Sequence, residues 1–292
     1  DVHLPLNRLV CIAGVSGSGK STLIEDTCYH ALRKLKKKPS ETPGSHRKLE
    51  GHAHIDDVVL VDQSPIGKTA RSNPASYVGA INAIRKLFSR EPLARERNYT
   101  AGTFSFNSPK GQCPACKGSG FEHVEMQFLS DVYLRCPECD GRRYRPEILE
   151  VKLLPPQRRK KKAPSPNRAE STASAHSYRA CSISDVLDMT VSEACTFFEY
   201  AGDVIRRLTP LREVGLGYIK LGQPVPTLSG GEAQRLKLAG HLAGQSLTKN
   251  RGQGTLFLFD EPTTGLHFQD IATLLQAFRH LVSAGHSVVV SE

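Results

Sequence analysis

The fold of this chain is decided by residues 14–21, which read Gly14-Val15-Ser16-Gly17-Ser18-Gly19-Lys20-Ser21. The stretch matches the phosphate-binding pattern G-x-x-x-x-G-K-[ST] at every fixed position. An apolar run at residues 8–13 precedes it and a helical pattern at 20–35 follows, so we expect a strand, a tight loop and a helix. Glycines let backbone N–H groups surround phosphates, and the start of the helix adds a positive dipole end. The stretch therefore predicts a site for a nucleoside triphosphate.

Each position of this loop has an expected role in binding ATP and Mg²⁺. Lys20 places a point charge near the β- and γ-phosphates, and the hydroxyl of Ser21 ligates Mg²⁺. The alternative, a chance turn rich in glycine and serine, does not explain the flanking strand and helix. The predicted nucleotide-binding residues of the loop are Gly14, Ser16, Gly17, Gly19, Lys20, Ser21 and Thr22.

A second motif, Leu256-Phe257-Leu258-Phe259-Asp260-Glu261, has the pattern of a buried strand that ends in two carboxylates. We expect Asp260 to belong to the Mg²⁺ shell and Glu261 to act as the general base that activates water. By itself the motif also fits a strand that ends in a solvated turn. The phosphate-binding loop upstream favours the catalytic interpretation.

A third motif, Leu228-Ser229-Gly230-Gly231-Glu232-Ala233-Gln234, resembles the signature of the ABC ATPases. The resemblance implies an α/β fold of the P-loop NTPase type with an inserted helical signature domain. It also implies that Ser229, Gly230 and Gly231 contact the nucleotide held by an opposite ATPase unit. Gln63 matches the Q-loop glutamine of that family, which senses Mg²⁺ and the attacking water, and residues 264–267 match the segment that crosses the dimer interface. An ordinary serine N-cap is the alternative for Ser229.

Four of the eight cysteines form two close pairs, C-x₂-C, nineteen residues, C-x₂-C. This spacing is typical of a tetrahedral structural zinc site, with Cys113, Cys116, Cys136 and Cys139 as ligands and no open position for catalysis. Coincidental free thiols are the alternative. Four arginines lie near the second pair, at positions 135, 142, 143 and 145. They are suited either to DNA phosphates or to a scaffold that presents a neighbouring hairpin, and the sequence leaves both open.

A more specific resemblance emerges when the motifs are taken together. The segments GVSGSGKSTL, DQSPIGKTARSNPASY, FSFN before the four cysteines, LGQPVPTLSGGEAQRLKLA and LFDEPTTGLH resemble the C-terminal ATPase half of the UvrA family. The resemblance implies an ATP-binding and ATP-hydrolysing component that recognises damaged DNA in bacterial nucleotide excision repair. The implied partners are the damaged duplex, the second ATPase half, a second copy of UvrA with which it forms a homodimer, and UvrB.

The sequence divides into three predicted regions. Residues 1–88 form the first part of the ATP-binding core, 89–224 the signature-domain region and 225–292 the signature helix with the rest of the core. The middle region holds the zinc module, at about 103–146, and an insert at about 155–180 that we expect to be disordered. Residues 33–48 and 151–180 carry excesses of six and seven positive charges, which together exceed the net charge of +10. The rest of the chain is therefore slightly acidic, so the basicity indicates solvated loops more than a DNA-binding core.

The remaining expectations concern the two ends of the chain, membrane contact and the alternative functions. The chain starts at Asp1, which predicts a fragment, and stops at Glu292, where the switch histidine of ABC ATPases would follow, so we expect ATP binding with poor hydrolysis. No run of about 18 apolar residues exists, which predicts that the chain does not span a membrane. The lack of a secretory signal favours reduced cysteines and predicts a cytoplasmic protein. The alternatives are an ABC ATPase paralogue in drug or antibiotic resistance, a transporter ATPase domain, and a zinc-stabilised chaperone-like protein.

Overall fold

The computed structural model describes residues 1–39, 41–64, 66, 71–124, 132–154, 180–245, 254–264 and 266–292. They fall into two compact units. The first contains Asp1–Ile66, Glu213–Leu216 and Leu228–Glu292. The second contains Gly67–Arg212 and Gly217–Thr227.

The first unit is built on a four-stranded parallel sheet, whose strands are β1 (Leu9–Ile12), β2 (Asp57–Val61), β5 (Thr255–Asp260) and β6 (Ser287–Ser291). Their order across the sheet is β1-β6-β5-β2. The two central strands are almost continuously apolar, as expected for strands covered on both faces. Because all four strands run the same way, their carboxyl ends meet at one edge, where α/β proteins bind ligands.

Alternate side chains of β5 supply the cores on the two faces of this sheet. Leu256 and Leu258 pack with Ile24 and Leu32 on the face covered by the helix after the phosphate-binding loop. On the other face the ring of Phe259 lies 4.5 Å from that of Phe278. The helical cover consists of a π-helical segment (Thr22–Tyr29), α1 (His30–Leu35), α9 (Gly230–Gln245) and α10 (Phe268–Ser283).

The described residues of the second unit form short helices and one hairpin. Three of these helices begin with a reciprocal capping box, whose N-cap residues are Asn73, Ser182 and Thr190. A buried aromatic core includes Phe104, whose carbonyl accepts a hydrogen bond from the hydroxyl of Tyr144. The elements are α2 (Pro74–Tyr77), α3 (Ala80–Phe88), α4 (Pro92–Glu96), β3 (Phe121–Val124), β4 (Val132–Arg135), α5 (Pro146–Leu149), α6 (Ile183–Asp188), α7 (Val191–Phe197) and α8 (Gly202–Glu213).

The first segment of the first unit ends at Ile66, within the predicted region 1–88. The start of α2 is tied to residues far along the second unit. The amide of Ala75 donates to the carbonyl of Leu221, and the amide of Val225 donates to the carbonyl of Ser72. Residues 155–179 of the insert predicted to be disordered lie outside the described residues.

Most predicted strands and helices are present, and the main local difference is in the helix after the phosphate-binding loop. That helix is π-helical over Thr22–Tyr29 before it continues as α1. π-Helical turns are rare and occur mostly at functional sites. None of the helices in the described ranges has the length and hydropathy needed to cross a bilayer.

Candidate nucleotide site and four-cysteine centre

The phosphate-binding loop follows β1 at the carboxyl edge of the sheet. Gly17 and Gly19 have φ values of +79° and +88°, a backbone conformation that other residues rarely adopt. The ammonium of Lys20 donates to the carbonyl oxygens of Gly14 (2.7 Å) and Val15 (3.2 Å). The loop is thus closed on itself, with its lysine held at the start of the following helix.

The carboxyl end of β5 lies beside this loop. Asp260 Oδ1 accepts hydrogen bonds from the hydroxyl of Ser21 (3.3 Å) and from that of Ser291 (2.7 Å). Ser291 was not predicted as a site residue, and it reaches Asp260 because the parallel register of β5 and β6 pairs the two residues. The structure thus brings together the hydroxyl and the carboxylate that the sequence predicts as Mg²⁺ ligands.

Further carboxylates surround this position. Burial raises the pKa of Glu25, and the nearby negative charges of Asp62 and Asp260 raise it further. Burial alone would raise the pKa of Asp62 as well, but hydrogen bonds from Lys237 and Ser64 outweigh it and lower that pKa. A concentration of negative charge next to a serine hydroxyl is an environment that favours a divalent cation such as Mg²⁺.

Glu261 and Gln63 meet at the same edge. The side-chain amide of Gln63 donates to the backbone carbonyl of Glu261 at 3.0 Å. Glu261 has a φ of +43°, which is strained for a residue other than glycine and is characteristic of functional sites. Its carboxylate is exposed and accepts a hydrogen bond from the hydroxyl of Thr264. An exposed carboxylate that follows Asp260 directly in the sequence is suited to accept a proton from water.

The signature motif begins α9 with a capping box. The amide of Ser229 donates to the carboxylate of Glu232, and the hydroxyl of Ser229 accepts from the amide of Glu232. Gly230 lies close to the side chain of Gln63, since a Cβ added at position 230 would stand only 3.1 Å from Gln63 Oε1. Ser229 therefore has a role as an N-cap. Contact of Ser229, Gly230 and Gly231 with a second nucleotide stays a prediction.

Replacement of Glu261 by glutamine is expected to lower the kcat for ATP hydrolysis by about 10²-fold, because the base is removed while the shape is kept. The Kd for ATP should change by less than about threefold, since the phosphate contacts are elsewhere. Steady-state turnover and nucleotide titration check both values. Glu96→Gln, which neutralises an exposed carboxylate of α4, is the control. Wild-type kcat in Glu261→Gln would remove Glu261 from the mechanism.

The four paired cysteines converge in the second unit. Their sulfur atoms all lie within 4.8 Å of one another, and Cys116 Sγ is 3.7 Å from Cys139 Sγ. Zinc–thiolate bonds of about 2.3 Å in a tetrahedron place sulfur atoms about 3.8 Å apart. The thiols at positions 113, 116, 136 and 139 therefore have the spacing that a zinc ion requires.

Backbone N–H groups point at two of these sulfurs. The amide of Gly120 donates to Cys116 Sγ and the amide of Arg143 donates to Cys139 Sγ, both at 3.3 Å. Gly118, with a φ of +84°, allows the first turn, and a Cβ there would lie 1.8 Å from the carbonyl oxygen of Phe106. Such N–H donors stabilise thiolates over thiols, which fits a metal centre better than four free cysteines.

One of the four arginines considered for DNA contact is excluded by its burial. The side chain of Arg143 is 5% exposed, donates to the carbonyl of Gly222 and lies over the ring of Phe106. It secures the cysteine centre to residues 217–227 of the same unit. Arg135, Arg142 and Arg145 are exposed and stay candidates for phosphate contact.

Comparison with known proteins identifies the relatives of the chain. It is 48% identical over 291 residues to UvrABC system protein A of Thermus thermophilus, a match that covers 100% of this chain and 27% of that protein. The same protein of Methanothermobacter thermautotrophicus is 48% identical over 292 residues, with the same two shares. The crystal structure of UvrA2 from Deinococcus radiodurans matches with a TM-score of 0.79 and 42% identity, over 100% of this chain and 31% of that chain.

No protein-family model matches the chain. The chain spans only 27% and 28% of the length of the curated relatives it matches. The identity and the shared fold nevertheless extend from one end of the chain to the other. The chain is therefore related, over its whole length, to one part of UvrABC system protein A, and it has the P-loop fold of the ABC ATPases.

Proposed function

We propose that this chain is the ATP-binding part of a protein that recognises DNA damage in nucleotide excision repair. The observation that carries the proposal is the convergence of the phosphate-binding loop, Asp260, Glu261 and Gln63 at one edge of the sheet. The four-cysteine centre in the same chain favours the repair family over a transporter ATPase domain, which has no need of such a module.

The proposed reaction is the hydrolysis of ATP. Lys20 and the glycine-rich backbone bind the phosphates, and Ser21 and Asp260 would hold Mg²⁺, which neutralises the charge that develops on the phosphates. Glu261 takes a proton from the attacking water, and Gln63 orients that water. Ser229, Gly230 and Gly231 complete the site across a dimer, since the exposed N-terminus of α9 offers N–H groups and a dipole end to a phosphate.

The cysteine centre would hold one zinc ion with a structural role. Four thiolates leave no position for substrate, so the ion contributes folding energy to a module with a small core. The antiparallel hairpin β3–β4 lies between the two cysteine pairs, and Arg135 at its end is exposed. We propose that this hairpin and the exposed arginines near it contact the phosphates of a damaged duplex, and that UvrB is the partner that follows.

Binding of the intact protein to a duplex that carries a single bulky lesion tests the proposal. We expect lesion DNA to bind at least tenfold more tightly than the same undamaged duplex, with the preference dependent on ATP. Both affinities should fall steeply with salt, because phosphate contacts release counterions.

The same duplexes with the Arg135→Ala and Arg95→Ala variants provide a matched comparison. Arg95 is an exposed arginine of α4, away from the cysteine pairs in sequence, so its replacement should change the affinity less. Equal affinity of the wild type for both duplexes at every salt concentration, with or without ATP, would rule out damage recognition.

A further inference from the structure

The signature helix α9 also holds the ends of β2 and β5 through one buried side chain. Gln234 is 2% exposed. Its single amide group donates to the carbonyl of Val61 at 2.8 Å and to the carbonyl of Asp260 at 3.0 Å. One NH₂ group has two hydrogens to donate, so both are used on carbonyls that end two neighbouring strands.

These carbonyls lie where β2 and β5 stop pairing. The parallel register ends at the pair Val61 and Phe259. Beyond it, Gln63 and Glu261 are joined by a side-chain hydrogen bond of 3.0 Å. Two side-chain amides therefore connect the end of β2 with the end of β5. The first is the buried amide of Gln234, and the second is the exposed amide of Gln63.

A second side chain of the same helix supports this arrangement. Lys237, one turn beyond Gln234, donates to the backbone carbonyl and the carboxylate of Asp62, and to the hydroxyl of Ser64 at 2.7 Å. The ammonium is largely buried, with a side-chain exposure of 15%. Helix α9 thus fixes the residues on both sides of Gln63 while the side chain of Gln63 itself stays exposed.

We propose that Gln234 is a positioning residue, which sets the separation of the β2 and β5 ends and thereby the approach of Gln63 to Glu261. Glu261 has a strained positive φ, and a strained backbone persists only where its surroundings hold it in place. Loss of the Gln234 bonds removes one donor from each of the two strand-end carbonyls and lets Glu261 shift relative to Asp260 and Ser21. A misplacement of about 1 Å is enough to reduce turnover strongly.

The position of Gln234 also gives α9 a second role, one that rests on the proposed ATPase function. Gln234 lies about one turn after Gly230 and Gly231, where α9 begins. Because Gln234 bonds to Val61 and Asp260, any shift of this end of the helix on nucleotide binding would be passed to both strand ends.

Hydrogen exchange and ATPase kinetics of the intact protein test the proposal with one variant and one control. Gln234→Met keeps the length of the side chain and removes both donors. We expect faster amide exchange at residues 61–64 and 260–264, unchanged exchange at β1, a kcat at least tenfold lower and a KM for ATP within about threefold.

A destabilised control separates positioning from stability. Leu281→Ala removes a buried leucine of α10 and should lower the melting temperature while kcat, measured well below that temperature, stays near the wild-type value. The proposal is overturned if Gln234→Met keeps both wild-type exchange at 260–264 and a kcat within twofold of the wild type. A wild type without any turnover would overturn the proposed function instead, and the exchange rates would then decide the role of Gln234.

Discussion

Replacement of Lys20 by alanine is expected to weaken ATP binding about 10³-fold and to abolish turnover. The ammonium of Lys20 is held at the phosphate-binding loop by two carbonyl oxygens, where we expect it to contact two phosphate groups of a bound nucleotide. Hydrogen bonds to charged groups contribute about 1.5–3 kcal/mol each. Two such bonds correspond to about 4 kcal/mol, or about a thousandfold change in Kd. Titration with a fluorescent ATP analogue measures the change.

Lys34→Ala is the matched control for this variant. Lys34 is an exposed lysine of the same helical stretch, so its removal changes the net charge equally without touching the loop. Its Kd for ATP should stay within about twofold of the wild type. An ATP affinity of Lys20→Ala within threefold of the wild type, in a protein that folds normally, would mean that nucleotide binds elsewhere.

Replacement of Cys116 by serine is expected to remove the zinc ion and to unfold the cysteine module. One lost thiolate leaves three ligands, and structural zinc contributes on the order of 10 kcal/mol to the folding of such a module. Zinc content should fall from one equivalent to less than a tenth, and amide exchange should accelerate at residues 113–144. Nucleotide affinity should be preserved, because the phosphate-binding loop belongs to the other compact unit.

Cys11→Ser tests whether the effect is specific to the four-cysteine centre. Cys11 is an exposed thiol in β1 and should keep the full zinc content. Elemental analysis of both variants after dialysis against a weak chelator gives the comparison. Full retention of zinc by Cys116→Ser would show that another residue completes the site.

The sequence predicts much of this site because its decisive residues sit in local patterns. A glycine-rich loop between an apolar run and a helix predicts that Lys20 and Ser21 lie where a phosphate would bind, and this prediction does not depend on distant parts of the chain. An apolar run before Asp260 and Glu261 predicts a buried strand, and parallel strands bring their carboxyl ends together. The cysteine spacing likewise predicts the centre, whose sulfur atoms converge within 4.8 Å.

Other features of the site depend on partners far apart in the chain. Gln234 is separated by 173 residues from Val61, and Ser291 by 31 from Asp260. No local pattern reveals that a helix glutamine reaches two strand ends, or that one arginine near the cysteines is buried while others are exposed. The start of α2 likewise depends on distant residues, because Ala75 is bonded to Leu221.

Sequence alone determined which chemical groups the chain offers, namely a phosphate-binding loop, two carboxylates after a strand, a signature turn and four thiols. Each of these groups lies in a short motif, and the local conformation of such a motif is set mainly by neighbouring residues. The way in which these groups are held emerges from the folded chain: the strand order, the bridge from Gln234 to Val61 and Asp260, and the burial of Arg143. These depend on packing and hydrogen bonds between segments that meet only when the chain folds, because a buried polar group takes its partner from whatever the fold brings within reach.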